Sequence, residues 1–236
     1  FYKIRRLGYR VILLVGIFRA SHILTVSETV KKDILRSFHQ PSKKVTVTYE
    51  GVDKEVISQK SRITRPYFLY VGNAYPHKNL ETLLRALQQC TVKLVLVGKE
   101  DFFYRRMKEL VHSLALGDRV IFFGQAEDGQ LADLYAHAIA LVMPSRSEGF
   151  GLPGLEALAS GCPVIASDIP VFHEILGDQA TYFIPTDPQD LAEKLMNVVK
   201  QPKKVSANRI RQLLDTYSWS ALASDTLKVY ERCLGV

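Results

Sequence analysis

From Tyr67 onward, short apolar runs alternate with segments of helical spacing, and this alternation constrains the fold more than any other feature of the chain. The runs are Tyr67–Val71, Val92–Val97, Val120–Phe123, Ile139–Met143, Val164–Ala166 and Thr181–Ile184. Between them lie stripes at three- and four-residue intervals: Leu80, Leu83, Leu84 and Leu87, then Met107, Leu110, Val111 and Leu114, then Leu131, Leu134 and Tyr135. Short strands separated by single helices pair in parallel through right-handed crossovers. The expected fold class is therefore α/β, a doubly wound parallel sheet, which takes ligands beyond the carboxyl ends of its strands.

The chemically suggestive segments each follow one of these runs. Gly72–Lys78 follows the first, Gly98–Asp101 the second, Gly124 and Gln125 the third, and Ser145–Gly151 the fourth. The fourth opens the stretch PSRSEGFGLPGLEALASGCPVIASD, Pro144 to Asp168, which sets Glu148 and Glu156 around a Gly-rich turn that begins a helix. Pro153 suits the first helical position, having no N–H to leave unpaired. Gly149 and Gly151 allow a ligand close to the backbone, and the amino end of a helix favours a phosphate. One carboxylate can accept from sugar hydroxyls and the other is near enough to reach a second ring. The same residues also suit a plain strand-to-helix turn, in which an acidic side chain stabilises the helix start by roughly 0.3–1 kcal/mol.

In the loop GNAYPHKNL, Gly72 to Leu80, Asn79 is a natural helix cap. Lys78 is a flexible point charge suited to phosphate, or else merely solvates the loop. His137 and His173 lack metal-ligand spacing and read as packed or surface histidines. No paired-aspartate motif suits Mg²⁺, so neither metal nor other cofactor is expected.

With 236 residues, 47% of them hydrophobic, the chain has ample core for one large or one and a half ordinary domains but not for two nucleotide folds. Lys plus Arg outnumber Asp plus Glu by 31 to 24, and the net charge of +7 suits a phosphate-bearing partner. Nucleic acid is disfavoured, since there is no zinc spacing, no RNA-binding aromatic motif and no single basic stripe. Cys90, Cys162 and Cys233, odd in number and set in apolar surroundings, read as buried thiols of a reducing compartment. The longest apolar run, Val11–Phe18, is under half of the roughly 20 residues a membrane helix needs. Its basic flank, Lys3, Arg5, Arg6 and Arg10, lacks a convincing signal-cleavage site. It suits either a segment lying on anionic lipid or an ordinary piece of domain. The expected location is the cytoplasm, with peripheral contact on the inner membrane face.

Before the alternating region, Ile23–Val26 reads as a strand, Ser27 as a cap, Val30, Ile34, Leu35 and Phe38 as a helical stripe, and Val45–Tyr49 as a second strand. Tyr217-Ser218-Trp219 leads into a last helix carrying Leu222, Leu227 and Tyr230.

The Pro144–Asp168 stretch closely resembles the donor-site signature of retaining glycosyltransferases of family 4, written EGFGLPxxEAxAxGxPVIAS, in the two-domain GT-B fold. The resemblance implies that Glu148 lies beside the donor sugar, that N–H groups from Phe150 to Leu152 hold sugar and diphosphate, and that Glu156 holds the ribose hydroxyls. It assigns Lys78 to the diphosphate and backbone groups near Gly124 and Gln125 to the base. The family's usual Arg in the Gly72 loop is Asn73 here, which weakens the charge clamp and leaves His77 or Arg146 as substitutes. SHILTVSETVKKDI resembles the close of the family's amino-terminal, acceptor-binding domain, and YEGVD, Tyr49 to Asp53, the crossing into the donor domain. That implies a remnant of the first domain over residues 1–52 and a donor-binding domain over 53–236, with the last helix returning to brace the first.

The implied activity is metal-free transfer of a hexosyl group from a nucleotide diphosphate sugar to an acceptor hydroxyl, with retention. Glu148 and Lys78 carry the chemistry, and the acceptor is lipid-linked or a saccharide. YVGNAYPHKNLE and VGKEDFFY are most similar to the bacterial branch that moves mannose from GDP-mannose in surface polysaccharide assembly. Two other readings stand beside this one. The first is a donor-binding half without activity of its own, and the second a nucleotide-sugar epimerase, which needs an acid/base pair that the sequence does not reveal.

Overall fold

The computed structural model describes residues 2–52, 63, 66–202 and 206–235, omitting the side chains of residues 2–7 and 207. Asp53 of the crossing motif and the side chains of Lys3, Arg5 and Arg6 thus lie outside the described residues. The chain forms two units, one from the stretch up to Gly51 together with that from Tyr217, the other from Val52 to Thr216.

In the first unit, helix α1 (Tyr2–Arg19) leads to strand β1 (Ile23–Thr25), helix α2 (Glu28–Phe38) and strand β2 (Val45–Val47), and β1 and β2 pair in parallel. Ser27 caps α2 as expected, its side chain accepting from Val30 N–H at 3.2 Å. Lys44 Nζ donates to the carbonyls of Ile17 and Phe18 at the end of α1, where a cation offsets the helix dipole. The terminal helix of the chain, α10 (Trp219–Leu234), belongs to this unit, and Tyr217 packs edge-on to Tyr49.

The second unit is the expected doubly wound sheet. Its elements run β3 (Tyr67–Val71), α3 (Leu80–Leu87), β4 (Lys93–Val97), α4 (Phe102–Ser113), β5 (Val120–Gly124), α5 (Asp128–His137), β6 (Ala140–Met143), α6 (Leu152–Ala159), β7 (Val164–Ser167), α7 (Pro170–Leu176), β8 (Ala180–Phe183), α8 (Pro188–Lys200) and α9 (Ala207–Thr216). The six strands pair in parallel in the order β5-β4-β3-β6-β7-β8. All four leucines of the α3 stripe are buried with Phe68, Leu94 and Leu96 of the sheet and Leu191 and Leu195 of α8.

The strand order reverses between β3 and β6, where chains leave the sheet in opposite directions and open a crevice at their carboxyl ends. The loops after those two strands carry Lys78 and Glu148. The structure departs from the sequence reading at several strand ends and in the following details. Pro153 is the second residue of α6 rather than the first, because Leu152 is already helical. Ile184 ends its apolar run outside the strand and is 53% exposed. Cys233 is exposed while Cys90 and Cys162 are buried, because among the described residues of α10 only Val229 is buried.

Candidate functional site

The loop after β3 is pinned from below by two buried tyrosines. Tyr70 donates to the Asn73 carbonyl at 2.6 Å and Tyr104 to the Gly72 carbonyl at 2.8 Å. Burial pushes both phenols well up, so both stay protonated and keep donating at neutral pH. Gly72 N–H donates to the Val97 carbonyl, extending the β3–β4 ladder by one bond. Gly98, at the end of β4, leaves no space for a side chain, since a Cβ there would lie 2.1 Å from the Gly72 oxygen and 2.3 Å from the Tyr104 hydroxyl. Asn73 turns its side-chain oxygen back on its own loop, accepting from Tyr75 N–H at 3.2 Å.

Asn79 does not cap α3 with its side chain. Its backbone is left-handed, φ 57° and ψ 34°, a conformation asparagine tolerates better than most residues. Its carbonyl takes the Thr82 N–H instead. The side chain is thereby turned into a buried knot. Nδ2 donates to the carbonyls of Pro144 at 2.9 Å and Pro185 at 2.8 Å, while Oδ1 accepts from Thr82 Oγ1 at 2.9 Å and Arg146 Nε at 3.0 Å. Two donors and two acceptor positions are thus all used, as a buried amide requires. With the Arg146 N–H bond to the His77 carbonyl, these contacts fasten the loop after β3 to the loop after β6.

Across that junction Lys78 Nζ donates to Glu148 Oε1 at 2.6 Å, and Ser145 Oγ donates to the same oxygen at 2.7 Å. The two charged side chains are 20% and 14% exposed, so the pair is largely shielded yet open at the surface. Arg146 is exposed, with its Nε held by Asn79, and His77 is exposed above the loop. The turn ahead of α6 needs glycine at 151 on two counts, a φ of 101° and a Cβ position 2.8 Å from the Phe172 ring. Gly149 and Leu152 are half-buried, but the Phe150 ring is 3% exposed and belongs to the core, so only its backbone is available to a ligand. Glu156, half-buried in α6 just past the first turn, accepts from the Tyr135 hydroxyl at 2.8 Å. Gly124 closes β5 with φ 83°, and its carbonyl takes the Gly98 N–H; Gln125 is exposed beside it. These two follow β5, two strands along the sheet from β3, whose loop carries Lys78.

Lys78, Arg146, Glu148 and the α6 turn are therefore gathered at the switch point, with Gly124 and Gln125 further along the same sheet edge. His137 pairs with Asp133 and His173 with Asp168, each beside its own helix. The sequence reading gave no individual site role to Ser145, Tyr70, Tyr104 or Tyr135. The tyrosines had a visible signal, since a phenol in an apolar stripe needs a partner for its hydroxyl.

A family model described as glycosyl transferases group 1 matches residues 53–212. The chain belongs to that family. Among curated relatives, the O-antigen chain mannosyltransferase RfbU of Salmonella typhimurium is 37% identical over 205 residues, covering 86% of this chain and 58% of the relative. The O-antigen chain mannosyltransferase B of Escherichia coli is 27% identical, covering 90% of this chain and 61% of the relative. Among solved structures, sucrose-phosphate synthase from Thermosynechococcus elongatus superposes with TM-score 0.83 at 26% identity, over 95% of this chain and 61% of that one. Anabaena HepE in complex with UDP-glucose superposes with TM-score 0.83 at 19% identity, over 94% of this chain and 67% of that one. The chain thus spans about three fifths of these curated group 1 relatives, and its fold is that of GT-B glycosyltransferases.

Proposed function

We propose that this chain binds a nucleotide diphosphate sugar where β3 and β6 diverge and that the whole protein transfers the hexosyl group, mannose, to an acceptor hydroxyl with retention. The observation that carries this reading is the Lys78–Glu148 pair, a cation and a carboxylate from loops on either side of the switch point. The diphosphate competes with Glu148 for Lys78 and receives the amino end of α6, so positive charge meets the oxygens that gain negative charge as the sugar leaves. Released from the lysine, Glu148 stays held by Ser145 and faces the sugar. Glu156 accepts from the ribose hydroxyls, backbone groups at Gly124 and Gln125 meet the base, and Arg146 stands in for the cation that Asn73 does not supply. The leaving phosphate takes the acceptor's proton on the face it departs from, and the reading invokes no metal. Similarity to O-antigen mannosyltransferases favours mannose as the sugar, and the sequence resemblance adds GDP-mannose as donor and a lipid-linked or saccharide acceptor.

Calorimetric titration with GDP-, UDP- and ADP-sugars tests the site and names the base together, and binding of none of them would remove the proposal. A second reading, a donor-binding half that needs a partner domain, is favoured by the share of the relatives that the chain spans. Radiolabelled GDP-mannose and a lipid-linked acceptor separate the two, because transfer by this chain alone would exclude the second. Among the described residues no helix is long and apolar enough to cross a membrane. Exposed Val11, Ile12, Val15 and Phe18, with Arg10 and Arg19 on the same helix, suit peripheral contact with the inner membrane face. Sedimentation with anionic vesicles is expected to carry the protein down, and recovery in the supernatant would refute the contact.

A further inference from the structure

Tyr135 is a buried polar group with no part in the proposed donor-site roles. Tyr135 lies in the α5 stripe with Leu131 and Leu134 and is 2% exposed. Tyr67, Tyr70 and Tyr104, comparably buried, donate to the backbone carbonyls of Leu134, Asn73 and Gly72. Tyr135 donates instead to a side chain on the neighbouring helix, Glu156 Oε2, at 2.8 Å.

We infer that Tyr135 is a positioning residue for nucleotide recognition, its hydroxyl holding the Glu156 carboxylate in the orientation that receives the ribose hydroxyls. The inference rests on the reading that Glu156 meets the ribose. A glutamate side chain costs up to about 2 kcal/mol of rotamer freedom when fixed, and a carboxylate already held by a phenol has lost part of that before the nucleotide arrives. A carboxylate has about four acceptor positions, and the phenol takes one of them. A hydroxyl donating to an ionised carboxylate is among the stronger hydrogen bonds. Burial first, then the Glu156 charge, pushes the Tyr135 phenol well up, so it remains a donor throughout the neutral range and does not act as a base.

The test is a double-mutant cycle on the 236-residue chain. Tyr135→Phe, Glu156→Ala and the double variant are titrated calorimetrically with GDP and with 2′-deoxy-GDP, or with UDP and its 2′-deoxy form if the donor titration selects uridine. Tyr135→Phe keeps the ring and deletes only the hydroxyl. It is expected to weaken binding of the ribonucleotide about three- to tenfold. The loss should be smaller for the deoxynucleotide and should vanish in the Glu156→Ala background. Equal losses for both nucleotides, or losses that simply add to those of Glu156→Ala, would indicate general damage to the helix pair and overturn the inference. Full affinity in Tyr135→Phe, with affinity lost in Glu156→Ala, would also overturn it while leaving the ribose role intact. Unchanged affinity in Glu156→Ala would overturn the ribose role itself, and the positioning role with it.

Discussion

Lys78 and Glu148 neutralise each other across the switch point, so each is poised for a ligand that offers the other a better partner. Replacing Lys78 with alanine deletes the only side-chain cation bonded to Glu148 among the described residues. Lys78→Ala is expected to weaken nucleoside diphosphate binding by about 1–3 kcal/mol, the usual range for a charged hydrogen bond, and calorimetric titration reads the loss directly. The cysteines make a second residue-scale test. Burial pushes the Cys162 thiol up to about 12, and Cys90 is likewise buried, whereas Cys233 is exposed. The thiolate is the reactive form, so its fraction at Cys162 is negligible near neutrality. Iodoacetamide treatment of the native chain at pH 8 followed by mass mapping should find label on Cys233 alone, and labelling of the other two only after denaturant is added.

At the scale of elements, the loops are as much constrained from beneath as their tips are free. Gly98 shows this most directly, because a single methyl there would strike both the Gly72 carbonyl and the hydroxyl that bonds to it. Gly98→Ala is expected to lower stability by about 1–3 kcal/mol, the usual cost of overpacking, and to weaken nucleotide binding as well, since the Gly72 carbonyl it displaces opens the loop after β3 that carries Lys78. Denaturant unfolding measures the first effect and titration the second. The strands and the α3, α4 and α5 stripes were legible because period and length carry them, with ends displaced by a residue or two. The positions of Glu148 and Glu156 were legible because a glycine-rich strand-to-helix turn fixes its flanking residues locally. Asn79 was not, since local pattern suggests a cap and only tertiary structure shows that Pro144 and Pro185 lie close enough to claim its amide. The same holds for Tyr135, whose carboxylate partner is 21 residues away in sequence.

On the whole-molecule scale, the two units differ in how well they cover their apolar surface. The second has a filled core on the α3 side of its sheet. In the first, Val11, Ile12, Val15 and Phe18 of α1 are each more than half exposed, and only Ile17 among the described α1 side chains is buried. An apolar surface of that extent marks an interaction site or a self-association liability. The isolated chain is expected to bind a hydrophobic dye and to sediment with concentration-dependent mass. Ile12→Lys with Phe18→Lys should reduce both effects, and if neither changes, α1 is not their source. The donor reading is independent of this outcome, because Lys78, Glu148 and Glu156 all lie within the second unit.

The four bonds of the Asn79 amide have one more consequence. They tie the roots of two neighbouring loops and the chain at Pro185 to a single point, so on the donor reading that corner of the crevice is expected to be set before a substrate arrives. Adjustment to different guests would then be left to the atoms beyond that anchor, the ammonium of Lys78 and the terminal nitrogens of Arg146.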